Sequence, residues 1–368
     1  MSSIRPYYYR MGYRSKLLPF LIGVLLACKA VSFAPSIPTE SGRAQLRSSF
    51  LVEPLRMSTN DRESQSKLLK KLLQNFQGDF DNYEQVVADR QEQKLPREGG
   101  GHEHFHVTLI PLSIDKLPEY MFPNGKESDN CGALIAAYYF DGMPNRIFRL
   151  RLYSIYTNKD DTESVCMKLY TFDKELEIIL RQTCDDSLKD WCQLIEAYTS
   201  EHGDDSFVQL KRCDIKWTND VDEIRHSYLK KFPSLLPNDP ESAAIHAVMI
   251  NDHEKGGVLL ESQMAPGTYI RIQDELSLWN DLLLINDRGH DADNTKMVYG
   301  NWDGVPYQMK RVTNLIQSED GSSFEREVVQ DELKWTLGSS WRTEDEFLEK
   351  LKVIGGTTTK QNQNEAKT

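Results

Sequence analysis

The spacing of apolar residues changes character along the chain. Between positions 66 and 77, Leu68, Leu69, Leu72, Leu73 and Phe76 recur every three or four residues, the period that gathers side chains on one face of an α-helix. Gly78 ends that pattern, as a helix-stopping residue should. From Phe105 onward the period shortens. Runs rich in β-branched and aromatic residues, bounded by Gly, Pro, Asn and Asp, recur at 104–112, 134–140, 147–156, 164–172, 207–210, 268–272, 276–285 and 296–299. Such runs predict strands, and many short strands with turn signals predict an antiparallel barrel or sandwich. One helix interrupts them at 187–198, where Leu188, Trp191, Cys192, Ile195 and Tyr198 share a face and Ser187 can cap the first turn. Residues 219–252 read as a loop-rich insertion with a helical piece. The pattern weakens after Arg311. A linker is expected at 317–323, a short helix at 344–354 and a disordered polar tail at 355–368.

The beginning of the chain obeys different rules. No apolar run reaches the roughly 18–20 residues that span a bilayer, and the longest, 17–28, contains Pro19. It has basic residues upstream and Ala30-Val31-Ser32 downstream, the layout of a secretory signal peptide with an A-x-A-like cut. Residues 1–32 are therefore expected to be removed, leaving Phe33-Ala34-Pro35 at the front. The stretch 33–57 carries Ser and Arg with few acids, as a transit peptide does.

Charge sharpens this division. Residues 1–57 hold eight Lys/Arg against Glu40 and Glu53, a net +6, whereas the whole chain is −12, so residues 58–368 carry −18. A body that acidic repels phosphate backbones, which argues against a nucleic-acid partner. Hydrophobic residues at 39% and charged residues at 27% exclude a wholly disordered chain. After loss of Cys28 the cysteines are Cys131, Cys166, Cys184, Cys192 and Cys213. That odd number without a C-x-x-C pair indicates neither a disulfide framework nor a zinc ribbon.

Three clusters have the residue types for chemistry. His102, His104 and His106 alternate and would share one strand face. Alternate residues on a strand lie about 6–7 Å apart, too far for one metal ion bonded to all three, so a solvated or partly packed strand entry is expected rather than a metal site. Arg149 and Arg151 likewise share a face, with Phe148, Leu150 and Leu152 expected on the other. If the arginines point outward they are solvated. If they point into a barrel they must meet anions, because unpaired buried charge is prohibitive, and a bound dicarboxylate would serve. Asp287-Arg288-Gly289-His290-Asp291 follows an apolar run and reads as a strand ending in a tight charged turn. Asp287 there either caps the turn or accepts a ligand N–H. The chain contains no G-x-S-x-G, P-loop, G-x-G-x-x-G or H-E-x-x-H motif.

Several segments, in order, resemble the T-type phycobilin lyase family (CpcT/CpeT). They are Gly78-Asp79-Phe80-Asp81-Asn82-Tyr83-Glu84-Gln85 after the first helix, 104–107 with Pro111-Leu112, Ile147-Phe148-Arg149-Leu150-Arg151-Leu152, Arg212-Cys213-Asp214 with Trp217, and Asp287-Arg288-Gly289-His290-Asp291 followed by Val298-Tyr299-Gly300 and Val305-Pro306-Tyr307. The resemblance covers about 65–312, leaving 313–368 as an extension. The leader, with Phe33 at the cut, is similar to bipartite presequences of red-type secondary plastids.

The family implies an all-β fold, a ten-stranded antiparallel calyx like a lipocalin with a short N-terminal helix and a few peripheral helices, often a homodimer. It implies an enzyme that attaches a linear tetrapyrrole (phycocyanobilin or phycoerythrobilin) to a Cys thiol of a phycobiliprotein β subunit, here in a plastid stroma and without a cofactor. On that resemblance Arg149 and Arg151 hold the bilin propionates. Asp287 is the catalytic carboxylate that accepts pyrrole N–H groups, and Tyr138, Phe148, Arg288, Tyr299 and Tyr307 complete the bilin contacts. A non-catalytic carrier with the same calyx is the alternative. The sequence departs from the family pattern at Ile135 and Ala137, where an aromatic and a Glu are usual, and at Gly256-Gly257, where Gly-Cys is common. Loss of the Glu would remove a proton donor or ligand contact.

Overall fold

The first amphipathic helix, α1 (Thr59–Asn75), ends two residues before the first strand and lays Leu68, Leu69 and Leu72 against the interior of a barrel. Just past its end, Phe76 stacks on Tyr153 and tilts against Trp217, so the helix closes one end of the interior. Gln65 fixes its angle by donating from Nε2 to the carbonyls of Asn158 (3.0 Å) and Ser164 (2.6 Å). Arg311, buried over the Phe80 ring, donates to the free carbonyls of Asn75 and Gln77, which a helix C-terminus leaves unpaired.

The computed structural model describes residues 59–329 apart from 97–99, 128–129, 141–146, 159–160, 183–187, 220–230, 236–243, 250–256, 262–266, 294–295 and 318–323. The leader, Ser187, Cys184, Gly256 and the segments 344–354 and 355–368 lie outside the described residues.

The strands follow as β1 (Gly78–Asp81), β2 (Phe105–Leu112), β3 (Cys131–Phe140), β4 (Ile147–Asn158), β5 (Asp161–Phe172), β6 (Phe207–Gln209), β7 (Ile215–Thr218), β8 (Ile245–Met249), β9 (Val258–Glu261), β10 (Tyr269–Leu278), β11 (Leu282–Asp291), β12 (Met297–Tyr299), β13 (Tyr307–Gln317) and β14 (Phe324–Val328). Among the described residues the further α-helices are α2 (Tyr83–Gln91), α3 (Lys174–Gln182) and α4 (Leu188–His202). Neighbours run β11-β10-β8-β7-β5-β4-β3-β2-β1-β13, every pair antiparallel, and β13 pairs back onto β11. The result is a closed ten-stranded antiparallel barrel, as the resemblance implied. Closure removes exposed strand edges from the barrel itself. β6, β9, β12 and β14 add to it at its margins.

Side chains alternate across the wall. Leu134, Ala136 and Tyr138 of β3 join the interior cluster, while Ala133, Ile135, Ala137 and Tyr139 join a second core outside it, with Leu176, Leu180, Trp191 and Ile195 of α3 and α4. Covered on both faces, β3 reads as a continuous apolar run rather than an alternating one.

Five expectations need correction. The run 276–285 is a hairpin, not one strand: Leu276 faces Ile285 across β10 and β11, and the chain turns at Trp279-Asn280-Asp281. The segment 268–272 is the start of the same ten-residue β10. Asp287–Asp291 are strand, not turn, because β11 continues to Asp291. Gly289 permits this, since a Cβ there would meet the Tyr299 ring at 1.9 Å. The stretch 219–252 contains β8, a wall strand, and the sheet continues beyond 312 through β13 and β14.

Gly78 does more than stop a helix. Its φ is +100°, and a Cβ would lie 2.3 Å from the carbonyl oxygen of Thr313 on β13. Gly78→Ala is therefore expected to lower stability by about 1–3 kcal/mol, read as a lower urea midpoint with an unchanged m-value.

Candidate ligand site in the barrel

The same alternation sends Arg149, Arg151 and Tyr153 of β4 inward, where they meet Asp274 of β10, Asp287 of β11 and Tyr299 of β12 around a cavity. Leu169, Leu210, Met249, Leu260 and Ile272 form its apolar side. The cavity volume is about 70 Å³. That is room for a few waters, and small against the roughly 300–1,000 Å³ of pockets that enclose cofactor-sized ligands.

What fills the space is an ion pair. Arg149 Nη2 donates to Asp287 Oδ2 at 2.6 Å, and Tyr299 O–H donates to Asp287 Oδ1 at 2.9 Å. The guanidinium also lies over the Tyr138 ring, 5.1 Å from its centre, and the Tyr138 and Tyr153 hydroxyls are 3.1 Å apart. Burial disfavours the Arg149 charge, but Asp287 outweighs it and raises the guanidinium pKa further. Burial, then the negative Asp287, pushes the Tyr299 phenol well above its ordinary range.

Asp274 stands directly opposite Asp287 in the β10–β11 register. Its Oδ1 is shielded from solvent and has no hydrogen-bond partner among the described residues. Burial first, and then repulsion from Asp287, push its carboxyl up to about 7, against the pull of Arg149.

Four of the residues expected here, Arg149, Arg151, Asp287 and Tyr299, do line one cavity, and Tyr138 backs Arg149. Phe148 is a correction. A bulge between Tyr138 and Tyr139 turns it inward to pack on Phe105, Tyr138 and Phe140, at the barrel margin and away from the cavity lining. Arg288 is another. Next to an inward Asp287 it must face outward, where Nη2 donates to Glu275 Oε2 at 2.7 Å. Tyr307 packs on Phe105 and donates to Glu103 Oε2 at 2.7 Å, again outside the lining. Asp274 was missed because 273–275 fell between two expected strands, although the inward series Ile272, Asp274 and Leu276 was legible as alternation once the strand was continuous.

The departures from the family pattern spare the cavity. Ile135 and Ala137 belong to the outer core, so a carboxylate at 137 would stand beneath the helices rather than in the lumen. Gly257 has φ +86° and a Cβ there would lie 2.3 Å from the Ile272 carbonyl oxygen, so this backbone excludes any larger residue.

The histidines are each tied to carboxylates. His102 Nδ1 is 2.7 Å from Asp89 Oδ2, joining the barrel to α2. His104 Nε2 lies 3.0 Å from Asp81 Oδ1. His106 sits between Asp81 (3.1 Å) and Asp79 (3.2 Å). Among the described residues no group of three or more His, Cys, Asp or Glu is disposed to hold a metal ion, and no helix is long and apolar enough to cross a membrane.

No family profile and no curated protein matches the chain. Among solved structures it is similar to the selenomethionine form of the CRL protein of Arabidopsis, at 17% identity and a TM-score of 0.42 over 67% of this chain and 98% of that one, a distance at which neither fold nor function transfers.

Proposed function

We propose that this barrel is a ligand-binding calyx of chromophore-lyase type. It takes a linear tetrapyrrole, phycocyanobilin or phycoerythrobilin, into the lumen and presents it to a Cys thiol of a phycobiliprotein β subunit in the plastid. The observation that carries the reading is the convergence of two guanidiniums and two carboxylates from three strands on one partly apolar cavity. Such a site fits an amphipathic ligand with acid groups at one end and N–H groups along its length. Attack by the acceptor's own thiolate requires no nucleophile from the calyx. A four-ring ligand needs more than the present space, so the Arg149 and Asp287 side chains part as it enters.

Mixing the purified chain, phycocyanobilin and an apo-β subunit tests this reading. The expected result is a thioether-linked bilin that survives denaturation of the β subunit, formed faster than without the chain. Tight binding with no acceleration would establish the carrier instead, and absence of binding would remove both.

Arg149 is engaged by Asp287, and Arg151 lines the same cavity with one guanidinium nitrogen on the Leu150 carbonyl; in the proposed complex Arg151 also meets a propionate. Arg151→Gln is expected to weaken phycocyanobilin binding by roughly 10- to 100-fold, the equivalent of about 1.5–3 kcal/mol. Fluorescence titration reads it, and unchanged affinity would place Arg151 outside the contact.

A further inference from the structure

The barrel wall is not laced by hydrogen bonds along its whole height. β5 carries β6 along 170–172 and β7 along 164–167, and its other edge belongs to β4, so β6 and β7 stand end to end. β10 carries β9 along 269–272 and β8 along 275–278, with β11 on its other edge. β7 pairs with β8 and closes the part of the wall nearer α1. Farther from α1, β6 and β9 share no ladder: among the described residues each pairs with one strand, β5 or β10. Edges of this kind leave backbone N–H and C=O groups open. A turn separates β6 from β7, closed by the Cys213 N–H on the Leu210 carbonyl and holding Arg212 at φ +68°, a left-handed conformation uncommon for any residue but glycine.

The cavity lies behind this slot. Its lining crosses from Thr171, Leu210 and Cys213 on one side to Met249, Leu260 and Ile272 on the other. Exposure follows the same line. Phe207 joins the outer core, so Val208 faces inward, opposite Thr171, and yet is 41% exposed. Thr171, Met249, Leu260 and Ile272 are half-buried, whereas inward residues of the closed wall such as Leu109, Leu134 and Met309 are buried. Solvent therefore reaches the interior through the side of the barrel.

We infer that the slot between β6 and β9 is a binding subsite through the wall: the apolar length of an elongated ligand lies in it against Val208, Leu260 and Ile272, while the acid end reaches the guanidiniums inside. This rests on the tetrapyrrole reading above and gives it a route. A cavity of about 70 Å³ does not enclose a four-ring molecule, but a slot lets such a molecule lie partly outside the lumen. α1 closes one end of the interior. At the β3–β4 margin Phe105, Phe140 and Phe148 pack on one another. The slot is a passage that opens without breaking a ladder, and its open edges offer hydrogen bonds to the polar rim of the ligand.

Cys213, a thiol on the cavity lining, reports on the passage without any bilin. The full chain is treated with an anionic methanethiosulfonate, and the rate at Cys213 is followed by peptide mass mapping. Val208→Trp should fill the slot and slow the reaction at least tenfold. Leu260→Ala should widen it and speed the reaction severalfold, and this variant reads the slot if the Trp variant does not fold. Phe140→Ala, at the aromatic margin, should leave the rate within twofold. Saturating phycocyanobilin should protect Cys213, and Val208→Trp should weaken phycocyanobilin binding at least tenfold. If the unsubstituted chain binds no phycocyanobilin, the tetrapyrrole reading falls and this inference with it. If it binds, but Phe140→Ala speeds the reaction at Cys213 and neither slot substitution changes rate or affinity, the ligand enters at the barrel end and this inference alone is overturned.

Discussion

Asp79→Ala is expected to cost about 3–5 kcal/mol of folding stability, the usual penalty for removing one partner from a buried ionic group. Asp79 is fully buried on the outer face of β1. Its Oδ1 accepts from Thr108 O–H at 2.6 Å and faces His106 Nε2 at 3.2 Å, and its Oδ2 accepts from Arg326 Nε at 2.8 Å and from Thr313. Those donors come from β2, β13 and β14, so one carboxylate joins the barrel wall to its last added strand. His106 has a carboxylate at each ring nitrogen. That geometry is satisfied only when both nitrogens carry protons. Burial opposes the imidazolium, but Asp79 and Asp81 outweigh it and raise its pKa. Burial likewise opposes the two carboxylates, but Arg326 and His106 for Asp79, and His104 and His106 for Asp81, hold both well below the usual range.

The pH dependence follows from these signs. The His106 contribution is complete below its unfolded value of about 6.5 and is lost as pH rises through the raised folded value. The Asp79 and Asp81 contributions are complete above about 3.9 and are lost as pH falls toward their depressed values. The network therefore contributes most between roughly pH 4 and 6.5. The Asp79→Ala penalty, taken from urea midpoints, should be largest in that window and shrink on both sides. A penalty under about 1 kcal/mol, or one independent of pH, would show that the network does not hold the fold.

Arg149→Met should cost about 2–4 kcal/mol, at or just below the buried-pair range because both partners keep some exposure. The substitution keeps length and apolar volume but leaves Asp287 beside Asp274 with its bonded cation gone. Arg149→Met combined with Asp287→Leu should recover much of the loss, since an apolar pair can replace a buried ion pair at little cost. Thermal and urea unfolding of the two singles and the double complete the cycle. If Arg149→Met is as stable as the parent, the pair is an incidental contact.

How far the sequence was legible depends on what each element packs against. β2, β4 and β5 were found at close to their true ends because each is long and dense in β-branched or aromatic residues. β7, β8 and β9 have four or five residues, too few for a period, and become strands only because neighbours supply the hydrogen bonds. The β10–β11 hairpin was hidden because Leu276, Leu278, Leu282 and Leu284 keep alternating through Asn280-Asp281. α3 was overlooked although Leu176, Ile179 and Leu180 have helical spacing.

The site was readable in the same measure. The paired arginines were expected to need anions if inward, and Asp287 supplies one. No local pattern told that its partner would be Arg149, 138 residues away. Asp274 was invisible for the same reason, because its environment is created by the strand register and not by its neighbours in sequence.

The central claim is that a linear tetrapyrrole occupies the lumen of this barrel. A crystal structure of the chain with phycocyanobilin tests it most directly. The expected result has the bilin inside the wall, a propionate on Arg151, a ring nitrogen within hydrogen-bonding distance of Asp274, and the Arg149 side chain displaced from its present place. A bilin held on the outer surface, or a lumen still filled by the Arg149–Asp287 pair at saturating bilin, would contradict it.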